Sequence, residues 1–165
     1  MKYIIISLLA TFSSLGILAD ETNSPSSVST RKSCVATKFF DGDSIHVLLK
    51  GEEKSISVRL YGIDAPEKEQ DYGATAEARL KELIRNKPIE IEIKGTDNHK
   101  RPLVVVFFNG NNINLQMLRE GMAWHYDRFD STPEFSAAHE EAKLHKRGLW
   151  INDKAISPEE FRHKK

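Results

Sequence analysis

Residues 35–67 read VATKFFDGDSIHVLLKGEEKSISVRLYGIDAPE. Three strand-like segments follow one another in this stretch, at residues 35–40, 45–49 and 56–61. A turn built from aspartate and glycine separates the first two segments. In the third segment apolar residues alternate with polar ones, so Arg59 faces away from the apolar row. The stretch therefore predicts three consecutive strands, with an arginine on the polar face of the third.

Residues 72–108 continue the pattern with one helix and two strands. Apolar side chains recur at helical intervals over residues 72–86, and Pro88 follows closely, so the helix is expected to end before the proline. Strict alternation over residues 89–94 predicts a fourth strand, and the apolar run 103–108 predicts a fifth. Five strands with a helix after the third are therefore expected.

Two more helices are predicted in the remaining sequence. The first has Asn114 as its expected N-cap and ends at Gly121. The second opens at Thr132, in a Thr-Pro-Glu sequence, and ends at Gly148. Trp150 follows that glycine and is expected to anchor the core. Together the elements predict an α+β domain, mainly β, with three helices.

The amino-terminal residues differ in composition from the rest of the chain. Residues 1–19 combine a basic start, an apolar run and a small residue at a plausible cleavage point, which predicts a signal peptide. Residues 20–33 are rich in serine and threonine and predict a flexible linker. Residues 34–165 are long enough for one domain. Because the apolar run is too short and too polar to span a membrane, we expect a secreted or periplasmic protein without a membrane anchor.

Charge and cysteine content exclude two further classes. The chain has 24 basic and 24 acidic residues, so a charge-driven, non-specific coat on nucleic acid is excluded and a polyanion must meet local cations. Cys34 has no second cysteine to pair with, so no internal disulfide can form. We interpret it as a small residue of the first strand rather than a catalytic thiol.

Two short acidic segments carry the chemistry of the sequence, Asp41-Gly42-Asp43-Ser44 and Asp64-Ala65-Pro66-Glu67. Because Pro66 restricts Ala65 to an extended backbone, the second segment is stiff. Its carboxylate and carbonyl oxygens can then converge on one point, and such oxygens suit a hard divalent cation. A cation held by two carboxylates keeps positions open for water and a phosphate oxygen, which indicates metal-assisted phosphoester hydrolysis.

These segments resemble the staphylococcal nuclease (thermonuclease) family. The resemblance runs from about Val35 to Trp150 and rests on the motifs DGDS, RLYGIDAPE, GMAW and KRGLW together with Arg101. It implies a five-stranded OB-fold barrel with helices, which agrees with the predicted order of elements. It also implies a calcium-dependent nuclease that hydrolyses phosphodiester bonds of DNA and RNA and leaves 3'-phosphate ends. No stable protein partner is implied, and we expect a monomer.

The resemblance assigns three residues to the calcium ion. Asp43 and Asp64 match the carboxylates that bind it. Ala65 stands at the position that gives a backbone carbonyl to the ion. The family commonly has threonine there, but the carbonyl survives the change because every residue carries one.

Three more residues receive catalytic roles from the resemblance. Glu67 matches the general base that accepts a proton from the attacking water, and a glutamate with its reference pKa of about 4.3 is ionised at neutral pH. Arg59 and Arg101 match the two arginines that bind the phosphate and stabilise the charge developing on it. Their guanidinium groups fit phosphate oxygens in a way that lysine does not reproduce.

The surroundings of Arg101 depart from the family pattern. The family commonly has an aromatic residue and a glycine before this arginine, whereas this chain has His99 and Lys100 before it and Pro102 after it. The alternative function is therefore a catalytically weak or inactive OB-fold module that binds nucleic acid. A third interpretation, a small secreted structural domain, would leave the acidic segments as ordinary turns.

Aromatic and histidine side chains leave further alternatives open. Trp124 and Tyr126 flank His125, and this cluster either stacks on a nucleotide base or completes the core beneath the helices. No residue is assigned to base binding. The remaining histidines lack metal-ligand spacing, and we interpret them as surface residues: His46, His139 and His145.

Overall fold

The computed structural model describes residues 30–164. The predicted signal peptide, residues 1–19, and most of the predicted linker therefore lie outside the described residues. The first strand begins at Lys32, two residues before the predicted start of the domain.

Eight strands and four α-helices form the described part of the chain. The strands are β1 Lys32–Phe39, β2 Ser44–Leu49, β3 Ile56–Leu60, β4 Ile63–Asp64, β5 Pro88–Thr96, β6 Pro102–Phe108, β7 Asn111–Asn112 and β8 Trp124–His125. The helices are α1 Gly73–Ile84, α2 Ile113–Arg119, α3 Pro133–Leu144 and α4 Pro158–His163, with a 3-10 turn at Gly148–Ile151. All five predicted strands and all three predicted helices are present, and α4 was not predicted. None of the helices in residues 30–164 is long and apolar enough to cross a membrane.

The five long strands close into a barrel. Their order is β3-β2-β1-β5-β6, with antiparallel neighbours throughout. A short parallel pairing between β3 and β6 joins the two ends, with Arg59 opposite Leu103 and Leu60 opposite Val104. This closed arrangement confirms the predicted five-stranded OB-fold barrel of the α+β class. A separate two-stranded pairing places Asp64 of β4 opposite Trp124 of β8.

The barrel encloses a continuous apolar core that helix α1 covers at one end. Strands β2, β3 and β5 bury alternate apolar residues, β6 buries a continuous run, and helix α1 adds Ala76, Leu80 and Ile84, all fully buried. Gly42 allows α1 to approach the turn after β1, because a Cβ atom at that position would lie 2.7 Å from the Ala65 side chain and 2.8 Å from that of Ala76. The close packing fixes one acidic segment against the other.

The predicted N-cap of the second helix was wrong. Asn112 caps α2, accepting a hydrogen bond from the Leu115 amide at 3.0 Å. Asn114 is fully buried instead, and its amide group donates to the Tyr61 and Val104 carbonyls at 2.9 and 3.0 Å. It therefore ties β3 to β6 where the barrel closes, because the short parallel pairing leaves backbone groups in need of partners.

The predicted end of the third helix was also wrong. Helix α3 ends at Leu144, and Gly148 starts the 3-10 turn with a left-handed backbone, φ +54°. A Cβ atom at Gly148 would lie 2.3 Å from the Gly121 carbonyl oxygen, so the two glycines allow two chain segments to touch. Trp150 then packs edge-on against Trp124, with ring centroids 4.9 Å apart.

Candidate active site

Asp43 is a buried carboxylate in the turn directly before β2. Only 2% of the residue is exposed. Its Oδ2 accepts a hydrogen bond from the Ala65 amide at 2.7 Å, and its Oδ1 accepts one from the Ser44 hydroxyl at 2.9 Å. Burial raises the pKa of Asp43 to about 7, against the opposing attraction of Arg59. The two acidic segments of the sequence are therefore joined directly, through Asp43 and Ala65.

Arg59 lies between the two buried acids. It extends from the polar face of β3, as the alternation predicted, and contacts Asp43 Oδ1 at 3.0 Å and Asp64 Oδ1 at 2.6 Å. Burial lowers the pKa of Arg59, but the carboxylates of Asp43 and Asp64 outweigh it and the pKa lies above its usual value. One guanidinium thus serves two carboxylates that are almost inaccessible to water.

Asp64, Ala65 and Glu67 follow one another at the rim of the barrel. Asp64 is 3% exposed and Ala65 is 4% exposed, since both lie against the core. Gln70 supports the turn beyond them, because its Oε1 accepts from the Glu67 amide at 3.2 Å and its Nε2 donates to the Ile156 carbonyl at 2.7 Å. Glu67 is partly exposed and reaches the same pocket as Arg59.

Sequence reasoning missed Arg162, which helix α4 places on the same carboxylates. Its guanidinium donates to Glu67 Oε1 at 2.8 Å and to Asp64 Oδ2 at 3.0 Å. Burial lowers the pKa of Arg162, but its hydrogen bonds to Asp64 and Glu67 raise it above the usual value. The Ser-Pro-Glu-Glu sequence from Ser157 was a signal for the helix, since the Ser157 hydroxyl accepts from the Glu160 amide at 3.1 Å. No local signal connects Arg162 to an acid 98 residues earlier.

Arg101 lines the same pocket as Arg59 and Glu67, and it is held by Asp97. Its Nε donates to Asp97 Oδ2 at 2.8 Å. Asp97 Oδ1 also accepts from the backbone amides of His99 and Arg101, at 2.9 and 2.8 Å. Burial raises the pKa of Asp97, but these Arg101 contacts outweigh it and lower the pKa below its usual value. The unusual loop thus presents Arg101 to the pocket in spite of its altered neighbours.

The pocket between these groups is a cavity of about 430 Å³. Its charged wall contains Asp41, Arg59, Glu67, Asp97, Arg101 and Arg162. Its aromatic wall contains Tyr61, Tyr126 and Phe129, with the rings of Tyr126 and Phe129 4.9 Å apart. The aromatic cluster of the sequence is therefore divided, since Tyr126 faces the pocket while Trp124 packs on Trp150.

The predicted surface position is wrong for one histidine. The side chain of His139 is only 13% exposed and packs edge-on against Trp150, with ring centroids 5.1 Å apart. His145 is exposed, as expected, and His46 is half-buried with its ring 4.8 Å from that of Phe40. Within residues 30–164, no group of three or more histidine, cysteine, aspartate or glutamate side chains is placed to hold a metal ion.

The closed barrel and the ionic pocket at its rim define an α+β protein of the OB-fold class. The sequence model of the family described as "Staphylococcal nuclease homologue" matches residues 57–152. A Haemophilus influenzae protein named "Uncharacterized endonuclease" is 37% identical over 161 residues, which cover 98% of this chain and 85% of that protein.

Two further relatives agree with this match. An Escherichia coli O157:H7 protein, also named "Uncharacterized endonuclease", is 36% identical over 129 residues, 78% of this chain and 83% of its own length. A rice protein named "Probable staphylococcal-like nuclease CAN1" is 33% identical over 119 residues, which are 70% of this chain and 36% of its own. The chain belongs to the staphylococcal nuclease family, and it is a nuclease.

Proposed function

We propose that this nuclease is exported and calcium-dependent, and that it hydrolyses phosphodiester bonds of DNA and RNA to leave 3'-phosphate and 5'-hydroxyl ends. The observation that carries the proposal is the position of Arg59, whose guanidinium lies 3.0 Å from Asp43 and 2.6 Å from Asp64 at the wall of a pocket that also contains Glu67 and Arg101. Export is supported by the composition of residues 1–19.

The donor chemistry of the site fits a hard divalent cation. Asp43 and Asp64 are both buried and both contact Arg59, the Ala65 amide donates to Asp43, and oxygen is the ligand that calcium prefers. The acids also outnumber the arginines they contact, which leaves negative charge for a cation to balance. Asp43, Asp64 and Ala65 would hold the ion. When bound, the ion would make a water molecule more acidic and neutralise charge on the phosphate.

Glu67 is the general base in this proposal. It lies at the rim of the pocket and is partly exposed, so its carboxylate can accept a proton from a water molecule in the cavity. That role requires a free carboxylate oxygen, and one Glu67 oxygen, Oε1, accepts from Arg162. The other is available in the described geometry for a water molecule at hydrogen-bond distance.

The two arginines bind and stabilise the phosphate. Arg59 and Arg101 both line the cavity, so a phosphate bound there can receive N–H donors from both. Both guanidiniums are pre-positioned by carboxylates, Arg59 by Asp43 and Asp64 and Arg101 by Asp97. Donors that are already oriented stabilise the transition state without further ordering.

Substrate binding by these groups gives little sequence preference. The expected contacts go to phosphate and to base faces, not to the hydrogen-bonding edges that distinguish one base from another. The Tyr126 and Phe129 rings supply flat surface beside the charged wall, and Phe129 is 59% exposed. A single strand of either DNA or RNA fits this chemistry.

Cleavage of single-stranded DNA by purified residues 20–165 tests the proposal. We expect cleavage with calcium, its loss on adding a chelator, and a phosphate group at the 3' end of each product. The variant Glu67→Gln should retain the fold and lose about two to four orders of magnitude in rate, as expected for removal of a general base. Glu53→Gln, at an exposed position away from the pocket, is the matched control.

Three results would contradict separate parts of the proposal. Cleavage that a chelator leaves unchanged would show that the nuclease does not require calcium. Products with 5'-phosphate ends would show that the nuclease cleaves the other P–O bond of the phosphodiester from the one predicted. Equal rates for the wild type and Glu67→Gln would show that Glu67 is not the general base.

A further inference from the structure

Arg162 engages two of the three carboxylates that the proposed mechanism uses, Asp64 and Glu67. It donates to Asp64 Oδ1 at 3.3 Å, to Asp64 Oδ2 at 3.0 Å and to Glu67 Oε1 at 2.8 Å. Its guanidinium therefore bridges an acid assigned to the ion and the acid assigned to the water. The positively charged side chain of Arg162 therefore lies where the proposed function places a calcium ion.

The Asp64 carboxylate has little capacity left for a further ligand. An ionised carboxylate offers about four lone-pair positions. Arg59 donates to Oδ1 at 2.6 Å, and Arg162 uses both oxygens. A divalent cation at Asp64 would also lie close to the positive charge of Arg162, which disfavours simultaneous binding. The two cations therefore compete for the same oxygens.

Helix α4 is anchored to the domain by contacts other than Arg162. Gln70 donates to the Ile156 carbonyl at 2.7 Å just before the helix, and Arg128 contacts Glu159 at 3.1 Å. Phe161 lines a second cavity of about 280 Å³ together with Trp124. These contacts join the helix to the domain independently of Arg162.

The Arg162 side chain itself can leave the site. It is 40% exposed, whereas the side chain of Asp64 is 4% exposed and fixed in β4. A long side chain at the surface can rotate into solvent without moving its helix. The change needed to open the site is therefore a rotation of one side chain, with α4 in place.

We propose that Arg162 is a latch that competes with the divalent cation for Asp64 and Glu67. It binds the two acids when the cation is scarce and turns away when the cation binds, which sets the calcium concentration at which the nuclease works. The inference rests on the calcium site of the proposed function. It adds that the carboxyl-terminal helix carries the competitor.

Calcium titration by calorimetry tests the latch without relying on activity. We compare the mature wild type with Arg162→Gln and Arg162→Lys, in the absence of nucleic acid. Arg162→Gln should bind calcium about tenfold more tightly, equivalent to about 1.4 kcal/mol. Arg162→Lys keeps the charge but loses the planar pair of donors, so its affinity should lie between the two.

Lys164→Gln is the matched control for long-range charge. Lys164 is two residues further along, carries the same charge and contacts Glu160, not the site. Its calcium affinity should equal that of the wild type. Circular dichroism melting of every variant shows that the comparison is made between folded proteins.

The outcomes separate the latch from the function on which it rests. If neither the wild type nor Arg162→Gln binds calcium, the calcium site itself is wrong and the latch falls with it. If both bind with equal affinity, the site stands and the latch is overturned. Equal calcium affinity together with weaker binding of a phosphorothioate oligonucleotide by Arg162→Gln would overturn the latch and make Arg162 a substrate ligand.

Discussion

Asp43 and Asp130 are both buried, but the two regions that surround them treat a buried acid in opposite ways. Asp43 is 2% exposed and Asp130 is 4% exposed. Asp130 accepts a hydrogen bond from the Thr132 hydroxyl at 2.5 Å and lies 2.8 Å from His125 Nε2. Burial raises the pKa of Asp130, but the Thr132 and His125 contacts outweigh it and lower the pKa below its usual value. At Asp43 burial prevails and the pKa rises to about 7.

The comparison separates an acid whose charged form is stabilised by its partners from an acid whose partners do not offset its burial. Asp130 has partners that favour its charged form, so the folded protein itself balances the cost of burying this acid. Asp43 is buried, shares Arg59 with Asp64 and lies near a further acid, Asp41, so its charged form is disfavoured in the folded protein. A folded domain keeps such an arrangement at a cost in stability, which is typical of functional sites.

Replacement of Arg59 by lysine should have the largest effect. Lysine keeps the positive charge between the acids but cannot make the two-pronged phosphate contact that the proposed function assigns to Arg59, so kcat/KM should fall by about 10²–10³. Cleavage of a fluorescent oligonucleotide at varied concentration measures this value.

Arg79→Lys is the control for Arg59→Lys. Arg79 makes a two-pronged contact with Glu120, at 2.6 and 2.7 Å, but lies outside the pocket. Its replacement should lower the free energy of unfolding slightly and leave cleavage unchanged. Equal losses of activity in the two variants would mean that general stability, and not phosphate binding, explains the role of Arg59.

The stability of the calcium-free protein should depend on the ionisation of Asp43. The pKa of Asp43 is about 7 in the folded protein and 3.8 ordinarily. Its contribution to the free energy of unfolding is therefore fully present below pH 4 and is lost as the pH rises towards 7. Asp43→Asn removes this loss, so the variant should gain on the order of 3 kcal/mol relative to the wild type between pH 4 and pH 8.

Urea unfolding at several pH values, with a chelator present, measures the effect at Asp43. The slope with pH is the relevant quantity, since the amide also changes local hydrogen bonds at every pH. Asp153→Asn, an exposed position, is the control and should follow the wild-type slope. A wild-type curve parallel to that of Asp43→Asn would show that Asp43 has an ordinary pKa.

In the region of Asp130, the free energy of unfolding should depend on pH in the opposite direction and by a smaller amount. Burial and, to a smaller extent, the charge of Lys143 lower the pKa of the neighbouring His139 to about 4, so the free energy of unfolding falls as the pH falls from 6.5 towards 4. His139→Phe keeps a ring against Trp150 and removes the ionisation. The variant should gain about 1 kcal/mol relative to the wild type over this range, after allowance for solvent screening.

The same unfolding series at pH 4.5 and 7.5 measures the His139 effect. A gain at the higher pH only would contradict the sign of the prediction. It would mean that packing of the ring, and not protonation, limits stability in this region.

The sequence was sufficient for the features that depend on local pattern. Alternation in residues 56–61 placed Arg59 on the polar face of its strand, and the structure has it there. Five strands, three helices and the order of elements followed from spacing and turn residues. Local pattern was misleading at Asn114, where an asparagine typical of an N-cap is used to join two strands far apart in the chain.

By itself the sequence determined the five strands and the two acidic segments, because strand period and turn chemistry are properties of neighbouring residues. Its motifs determined the family, and the resemblance to that family implied the barrel. Only the tertiary structure decided which charges meet. Barrel closure brings Asp43, Arg59 and Asp64 together, and the docking of α4 adds Arg162 from 98 residues away. A side-chain contact across the fold leaves no periodic signal, so its energy depends on geometry that forms only when the chain is folded.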